Sequence, residues 1–280
     1  MYDNSLLNKY SLSLTNFMTN IGMRKHIPNF ITLINLFCGC CAVACIFYGQ
    51  FIHAFIFVFI GGLADYSDGM VARWLEVNSP FGKELDSLAD MVTFGVVPGA
   101  IIYMLLVISL ENAVFDYPSS LSFLGTKGLN MLALPAFIVS TFSALRLAKF
   151  NLDVRQSEDF IGLNTPACTA FVVGLMLTFH FDYYGLRPYV ANYFFLFALI
   201  PVLSYLLVSE IPMISFKFKK FKWQGNERQF ILIIISILFL VFFQGLGFSL
   251  MILSYVCLSI FEFIFETRRA KKRQRSSDEG

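Results

Sequence analysis

Apolar runs of close to twenty residues recur along almost the whole chain. A run of that length and character spans the hydrocarbon core of a bilayer as a helix. Eight are read at about 28–48, 51–72, 87–109, 129–148, 166–180, 190–209, 229–243 and 245–265. Gln244 and Gly245 fall at the junction of the last two, which predicts a tight hairpin. The expected fold is an all-α polytopic membrane protein of about eight transmembrane helices. Composition agrees: 14% of residues are charged, against roughly 25% in a soluble domain.

Lysine and arginine orient the bundle. With the N-terminus inside, 19 of the 21 fall on the cytoplasmic side, and only Lys127 and Arg187 lie opposite. A wrong helix count would scatter them, so the positive-inside rule supports the count and places both termini in the cytoplasm. The first 27 residues lack the short apolar core of a cleavable leader. Within them Leu14, Phe17, Met18 and Ile21 share a helical face, which suits an interfacial helix, although a frayed tail fits as well. The basic runs "KFKKFK" (217–222) and "RRAKKRQR" (268–275) suit either anionic headgroups or topology setting. Five segments result: 1–27 at the interface, 28–209 as the core, a basic loop at 210–228, a helical hairpin at 229–265 and a disordered basic tail at 266–280. Four of the six cysteines (Cys38, Cys40, Cys41, Cys45) crowd the first span. No histidine accompanies them, so they read as small apolar fillers rather than a metal site.

Against this background, "DYSDGMVARWLEVNSPFGKELDSLAD" (65–90) is costly, because intramembrane carboxylates are rare and usually functional. Asp65 and Asp68 share a helix face that Gly69 and Ala72 continue. Asp86 and Asp90 are four apart on the next helix, one turn after Gly82. The turn formers in "WLEVNSP" (74–80) fold the second helix back beside the first, so four carboxylates converge between two antiparallel helix ends. Such a cluster needs positive charge brought to it. All-oxygen ligands suit Mg²⁺, Mn²⁺ or Ca²⁺, one ion or two, and a bound cation polarises phosphate oxygens. Arg73 adds a fixed cation suited to phosphate. The constellation points to metal-assisted phosphoryl transfer at the cytoplasmic face. A cation transporter is the rival from another class. Its carboxylates would sit near the midplane within repeated halves, and no internal repeat is visible here.

The pattern Asp65-x2-Asp68-Gly69-x2-Ala72-Arg73-x8-Gly82-x3-Asp86-x3-Asp90 resembles, without departure, the signature of the CDP-alcohol phosphotransferase family. The segments "PNFITLINLFCG" (28–39), "FGKELDSLADMVTFGVVPGA" (81–100), "ALRLAKFN" (144–151) and "FIGLNTPA" (160–167) are similar to its bacterial serine-accepting branch. Two positions depart from that branch: Asn164 follows Gly162-Leu163 where proline is frequent, and Lys149 replaces a frequent arginine.

The resemblance implies a six-helix core with the last two helices as an extension. It implies transfer of the phosphatidyl group from CDP-diacylglycerol to the hydroxyl of L-serine, giving phosphatidylserine and CMP in phospholipid biosynthesis. Glycerol 3-phosphate, inositol phosphate or choline are the alternative acceptors within the family. Asp65, Asp68, Asp86 and Asp90 would hold Mg²⁺ or Mn²⁺, two per site, with Asp90 also the general base. Asp68, Gly69, Ala72, Arg73 and Gly82 match the family's CDP-binding positions, and Thr32 and Asn35 either touch the nucleotide or pack between helices. Arg146, Lys149 and Lys83 are candidates for the serine carboxylate or the donor's diphosphate. Pro166, following Asn164 and Thr165, would open a helix whose first N–H groups face an anion. Membrane lipids and a homodimer are the implied partners, nucleic acid is not, and the bacterial inner membrane is the expected location.

Overall fold

The computed structural model describes residues 26–77, 79–114, 130–152, 160–214 and 227–278. The expected interfacial helix of the N-terminal segment and the basic run at 217–222 lie outside them.

Helix α1 (His26–Phe47) and α2 (Phe51–Trp74) form an antiparallel pair. The buried face of α1 carries Thr32, Asn35, Cys38, Gly39 and Ala42, and that of α2 carries Ala54, Gly61, Ala64 and Asp68. Small residues let two helices approach closely where lipid supplies no hydrophobic drive between them. The turn between them is closed by Gly49 at φ +68°, with the Gln50 N–H reaching back to the Cys45 carbonyl at 2.8 Å. That six-residue reversal needs a left-handed residue, which glycine supplies without strain. The end of α2 uses the same device with Glu76 at φ 54°, the Val77 N–H bonding the Ala72 carbonyl at 3.0 Å.

Helix α3 (Pro80–Asp90) starts at once, with Ser79 as its cap and Pro80 in its first turn. It therefore begins seven residues before the expected third span, close after the end of α2 at Trp74, as expected. A π-helical stretch (Met91–Val96) joins it to α4 (Val97–Val114). Pro98 has no N–H for the Phe94 carbonyl, and Val97 N–H bonds Val92 instead. The Phe94 carbonyl accepts from the Thr169 hydroxyl at 2.9 Å. Residues of α4 from Val97 to Val107 are buried all round, apolar on every side, as a central bundle helix must be.

A 3-10 turn (Met131–Phe137) leads into α5 (Ile138–Leu152). Helices α6 (Thr165–Phe181), α7 (Arg187–Val190) and α8 (Tyr193–Val208) follow. Two-residue strands β1 (Phe160–Ile161) and β2 (Pro212–Met213) pair antiparallel. The start of the expected loop at 210–228 is thus a tied strap.

Helix α9 (Glu227–Asp278) is broken at Gln244 (φ 50°, ψ −123°). A Cβ added to Gly247 would lie 2.9 Å from the Leu240 Cα, so the chain doubles back there and forms the expected hairpin. The hairpin docks on α6, where Gly174 faces Ser249 and the Ser249 hydroxyl donates to the Phe171 carbonyl at 2.8 Å. Its second arm stays helical to Asp278, correcting the disordered tail expected from residue 266. Alanine, lysine, arginine and glutamine there are strong helix formers, and basic side chains favour a helix C-terminus.

Five helical stretches are long and apolar enough to cross a membrane, with α6 and α8 as shorter apolar helices. With the last long stretch folded at Gln244, the described residues make eight apolar passes.

Candidate active site

Up-and-down chain order brings the start of α1, the end of α2, the start of α3, the end of α5 and the start of α6 to one end of the bundle. The aspartates lie there. Carboxylate oxygens of Asp65, Asp68 and Asp86 lie within 4.8 Å of one another. At that separation each pair of full charges repels by at least about 3 kcal/mol in an effective dielectric of 20. The Asp86 Oδ1 is buried with no hydrogen-bond partner. A group of hard oxygen donors with one buried oxygen left open fits a divalent cation.

Asp90 stands outside that trio. It accepts from the Asn35 Nδ2 at 3.3 Å and shares a hydrogen bond with Asp65. The Asp68 Oδ2 accepts from the Thr32 hydroxyl at 2.6 Å. Thr32 and Asn35 are both buried, and both turn toward carboxylates, so each aspartate pair has a side chain of α1 behind it. That geometry packs both between helices and against the acids. A bond this short to a carboxylate is charge-assisted and is worth about 1.5–3 kcal/mol. Thr32→Val is therefore expected to lower activity about tenfold. Cation titration of activity would check it, and an unchanged cation requirement with an unchanged rate would contradict the role.

Sequence reasoning missed Thr93. It lies one turn beyond Asp90, and its hydroxyl donates to the Asn35 carbonyl at 3.0 Å. It also missed Asn29, whose Oδ1 would lie 3.0 Å from a Cβ at Gly82. Neither carries an isolated signal; the hydroxyl that meets Asn35 and the amide that meets Gly82 show only in three dimensions.

Gly69 faces open space, with the Arg73 guanidinium 3.9 Å from where its Cβ would be. Ala72 is half-buried on the same side, and Arg73 and Lys83 are exposed. Gly69 and Ala72 leave a shelf beside the acids with Arg73 at its rim.

Arg146 and Lys149 share a turn of α5 but not an environment. Lys149 makes a 3.5 Å ion pair with Glu210, and both are well exposed, so the pair contributes little. Arg146 is 7% exposed, and its Nε lacks a hydrogen-bond partner. Asn151, on the same helix, donates to the Ser87 hydroxyl of α3 at 2.8 Å and ties the two sides of the site together. At the expected anion site, Pro166 stands in the first turn of α6. Asn164 caps that helix itself, its Oδ1 taking the Ala167 N–H at 2.7 Å, and the Cys168 N–H bonds the Asn164 carbonyl. The cap thus takes one of the first N–H groups of α6, and Pro166 has none to offer. Next to the acids, a groove of about 620 Å³ between Met91 and α5 is lined by Phe137, Ser140 and Ala144 among others.

The family model described as CDP-alcohol phosphatidyltransferase matches residues 25–208. The chain belongs to this family. All four acids, Thr32, Asn35 and Arg146 fall inside the match, and the hairpin of α9 falls beyond it. The chain is 34% identical over 193 residues to the CDP-diacylglycerol–serine O-phosphatidyltransferase of Bacillus subtilis, covering 69% of this chain and 92% of that protein. It is 35% identical over 244 residues to the protein of the same name from Helicobacter pylori, covering 85% and 91%. Similarity extends to the archaetidylserine synthase of Methanothermobacter thermautotrophicus, at 27% over 155 residues, 54% of this chain and 58% of that protein.

Proposed function

We propose that this CDP-alcohol phosphatidyltransferase transfers the phosphatidyl group of CDP-diacylglycerol to the hydroxyl of L-serine, giving phosphatidylserine and CMP. The observation that carries the chemistry is the convergence of Asp65, Asp68 and Asp86 at one end of the bundle. The names of the relatives above support serine as the acceptor.

In this reading Asp65, Asp68 and Asp86 hold Mg²⁺ or Mn²⁺, two per site, with Asp90 beside them. Bound cations would polarise the donor's phosphates and stabilise the charge of departing CMP. The shelf formed by Gly69 and Ala72 receives the cytidine nucleotide, with Arg73 and Gly82 at its edge. The serine hydroxyl attacks the phosphorus that bears the diacylglycerol, the bond from that phosphorus to the CMP oxygen breaks, and Asp90 accepts the hydroxyl proton. Its place outside the trio supports that role, since an acid spent wholly on a cation is a poor base. Arg146 takes the serine carboxylate, and the groove along α5 takes part of the donor's apolar tail.

Location and assembly belong to the same proposal. The distribution of lysine and arginine supports a cytoplasmic site in the bacterial inner membrane, and two copies would pair as a homodimer.

The test is CMP release from CDP-diacylglycerol by the purified protein, with Mg²⁺ or Mn²⁺ and with serine, glycerol 3-phosphate, inositol phosphate or choline offered separately. Release with serine alone is expected, and its loss on chelation. Release with a different alcohol would overturn the acceptor; no release with any would overturn the activity.

A further inference from the structure

The end of α5 is enclosed by a part of the chain that the family match does not include. Electrostatic neighbours of the buried Arg146 are Asp90 from α3, Cys168 from α6 and Tyr255 from the second arm of α9. One turn before Cys168, Thr165 is fully buried and its hydroxyl has no partner. An open guanidinium nitrogen and an open hydroxyl thus border the same buried region. In a membrane, with no bulk water to satisfy them, such groups need a polar occupant.

Tyr255 is 6% exposed, and its hydroxyl donates to the Ile214 carbonyl at 3.3 Å. Ser259, one turn further on, accepts the Ile214 N–H at 3.2 Å. The hairpin therefore holds both backbone polar groups of Ile214. From there the strap runs back through β2, paired with β1. The Gly162 N–H bonds the Ile211 carbonyl and the Leu163 N–H the Leu206 carbonyl, each at 2.9 Å. Gly162 has φ +74°, and a Cβ on it would sit 2.8 Å from the Ser209 carbonyl oxygen, so the strap lies hard against this turn. The next residues are Asn164, the cap of α6, and Thr165. Glu210 of the same strap pairs with Lys149, one turn from Arg146.

We propose that the C-terminal hairpin is a positioning element for the acceptor side of the site. Through Tyr255 and Ser259 it fixes the strap at 209–214, which sets the depth of Arg146 and the start of α6. The inference rests on the phosphatidyl-transfer reading above. Neither Tyr255 nor Ser259 touches the reacting atoms; Ser259 acts through the strap, and Tyr255 acts through the strap and as a neighbour of Arg146.

Steady-state kinetics of the full chain in lipid nanodiscs test this, with serine and CDP-diacylglycerol varied in turn. Losing one hydrogen bond from the strap in Tyr255→Phe is expected to raise the KM for serine roughly five- to tenfold, leaving kcat and the KM for CDP-diacylglycerol within about twofold. Ser259→Ala should move the same constant in the same direction. Ser249→Ala serves as control, because it removes a hairpin contact to α6 well away from the strap and should leave the serine KM unchanged. A wild-type serine KM in Tyr255→Phe or in Ser259→Ala, or a rise of equal size in Ser249→Ala, would overturn the proposal. A wild-type protein that uses a different alcohol instead overturns the serine assignment, and the variants are then compared with that alcohol.

Discussion

Asp90→Asn is expected to cut CMP release by about 10²–10⁴-fold, the usual contribution of a positioned general base. The amide keeps the size of the side chain and can still meet Asn35, so the helices have no reason to part. What it loses is the capacity to take the proton of the attacking hydroxyl. In the proposed reading Asp65, Asp68 and Asp86 carry the cation with Asp90 beside them, so cation affinity should fall less in Asp90→Asn than in Asp86→Asn. Titration with Mn²⁺ alone, followed by electron paramagnetic resonance, separates the two. If Asp90→Asn lost the cation as thoroughly as Asp86→Asn, its main duty would be ligation and the base would have to be sought elsewhere. Activity within tenfold of wild type would remove Asp90 from the reaction altogether.

The second large effect is on the fold. Gly39→Val should destabilise the bundle by about 3 kcal/mol or more, at the upper end of the cost of overpacking. A Cβ on Gly39 would meet the Thr93 Oγ1 and would lie 3.0 Å from the Thr93 Cα. Backbone cannot swing away as a side-chain tip can, so α1 and the π-helical stretch would have to separate. Thr93 also bonds the Asn35 carbonyl, and Asn35 bonds Asp90, so the same separation pulls at the proposed base. Thermal unfolding in detergent should show a lower midpoint, with activity lost below that midpoint as well. Gly62→Val is a fair comparison, since the nearest atom to its added Cβ is a Phe94 ring carbon at 3.8 Å. Equal midpoints for the two variants would mean that the close contact between α1 and Thr93 is not a constraint.

Membrane spans, the hairpin at Gln244 and the four acids were legible because each rests on local chemistry. A run of apolar residues long enough for a bilayer has few alternatives to a helix. A carboxylate at a helix end within such a run demands compensation wherever the helix goes. Spacing by three and four places Asp65 with Asp68, and Asp86 with Asp90, before any tertiary contact is known.

Other features depended on which helices became neighbours. No local pattern marks Thr32 and Asn35 as partners of Asp68 and Asp90, because the pairing needs α1 to lie against both α2 and α3. The mutual approach of Asp65, Asp68 and Asp86, with Asp90 bonded to Asp65 at their side, is likewise invisible in spacing, which made all four equal. Lys149 and Arg146 share a helix face in the sequence, yet packing buried one and left the other paired with Glu210 near the surface. Asn164 precedes an expected anion site, and only the packed chain shows its own side chain taking the Ala167 N–H at that helix end. The link from Tyr255 to the wall around Arg146 joins residues more than a hundred positions apart. The sequence by itself determined where helices form and where charge needs an answer, since both follow from the cost of placing polar groups in hydrocarbon. The tertiary structure decided which side chain answers which, because hydrogen bonds reach only about 3 Å and chain order does not set distances that fine.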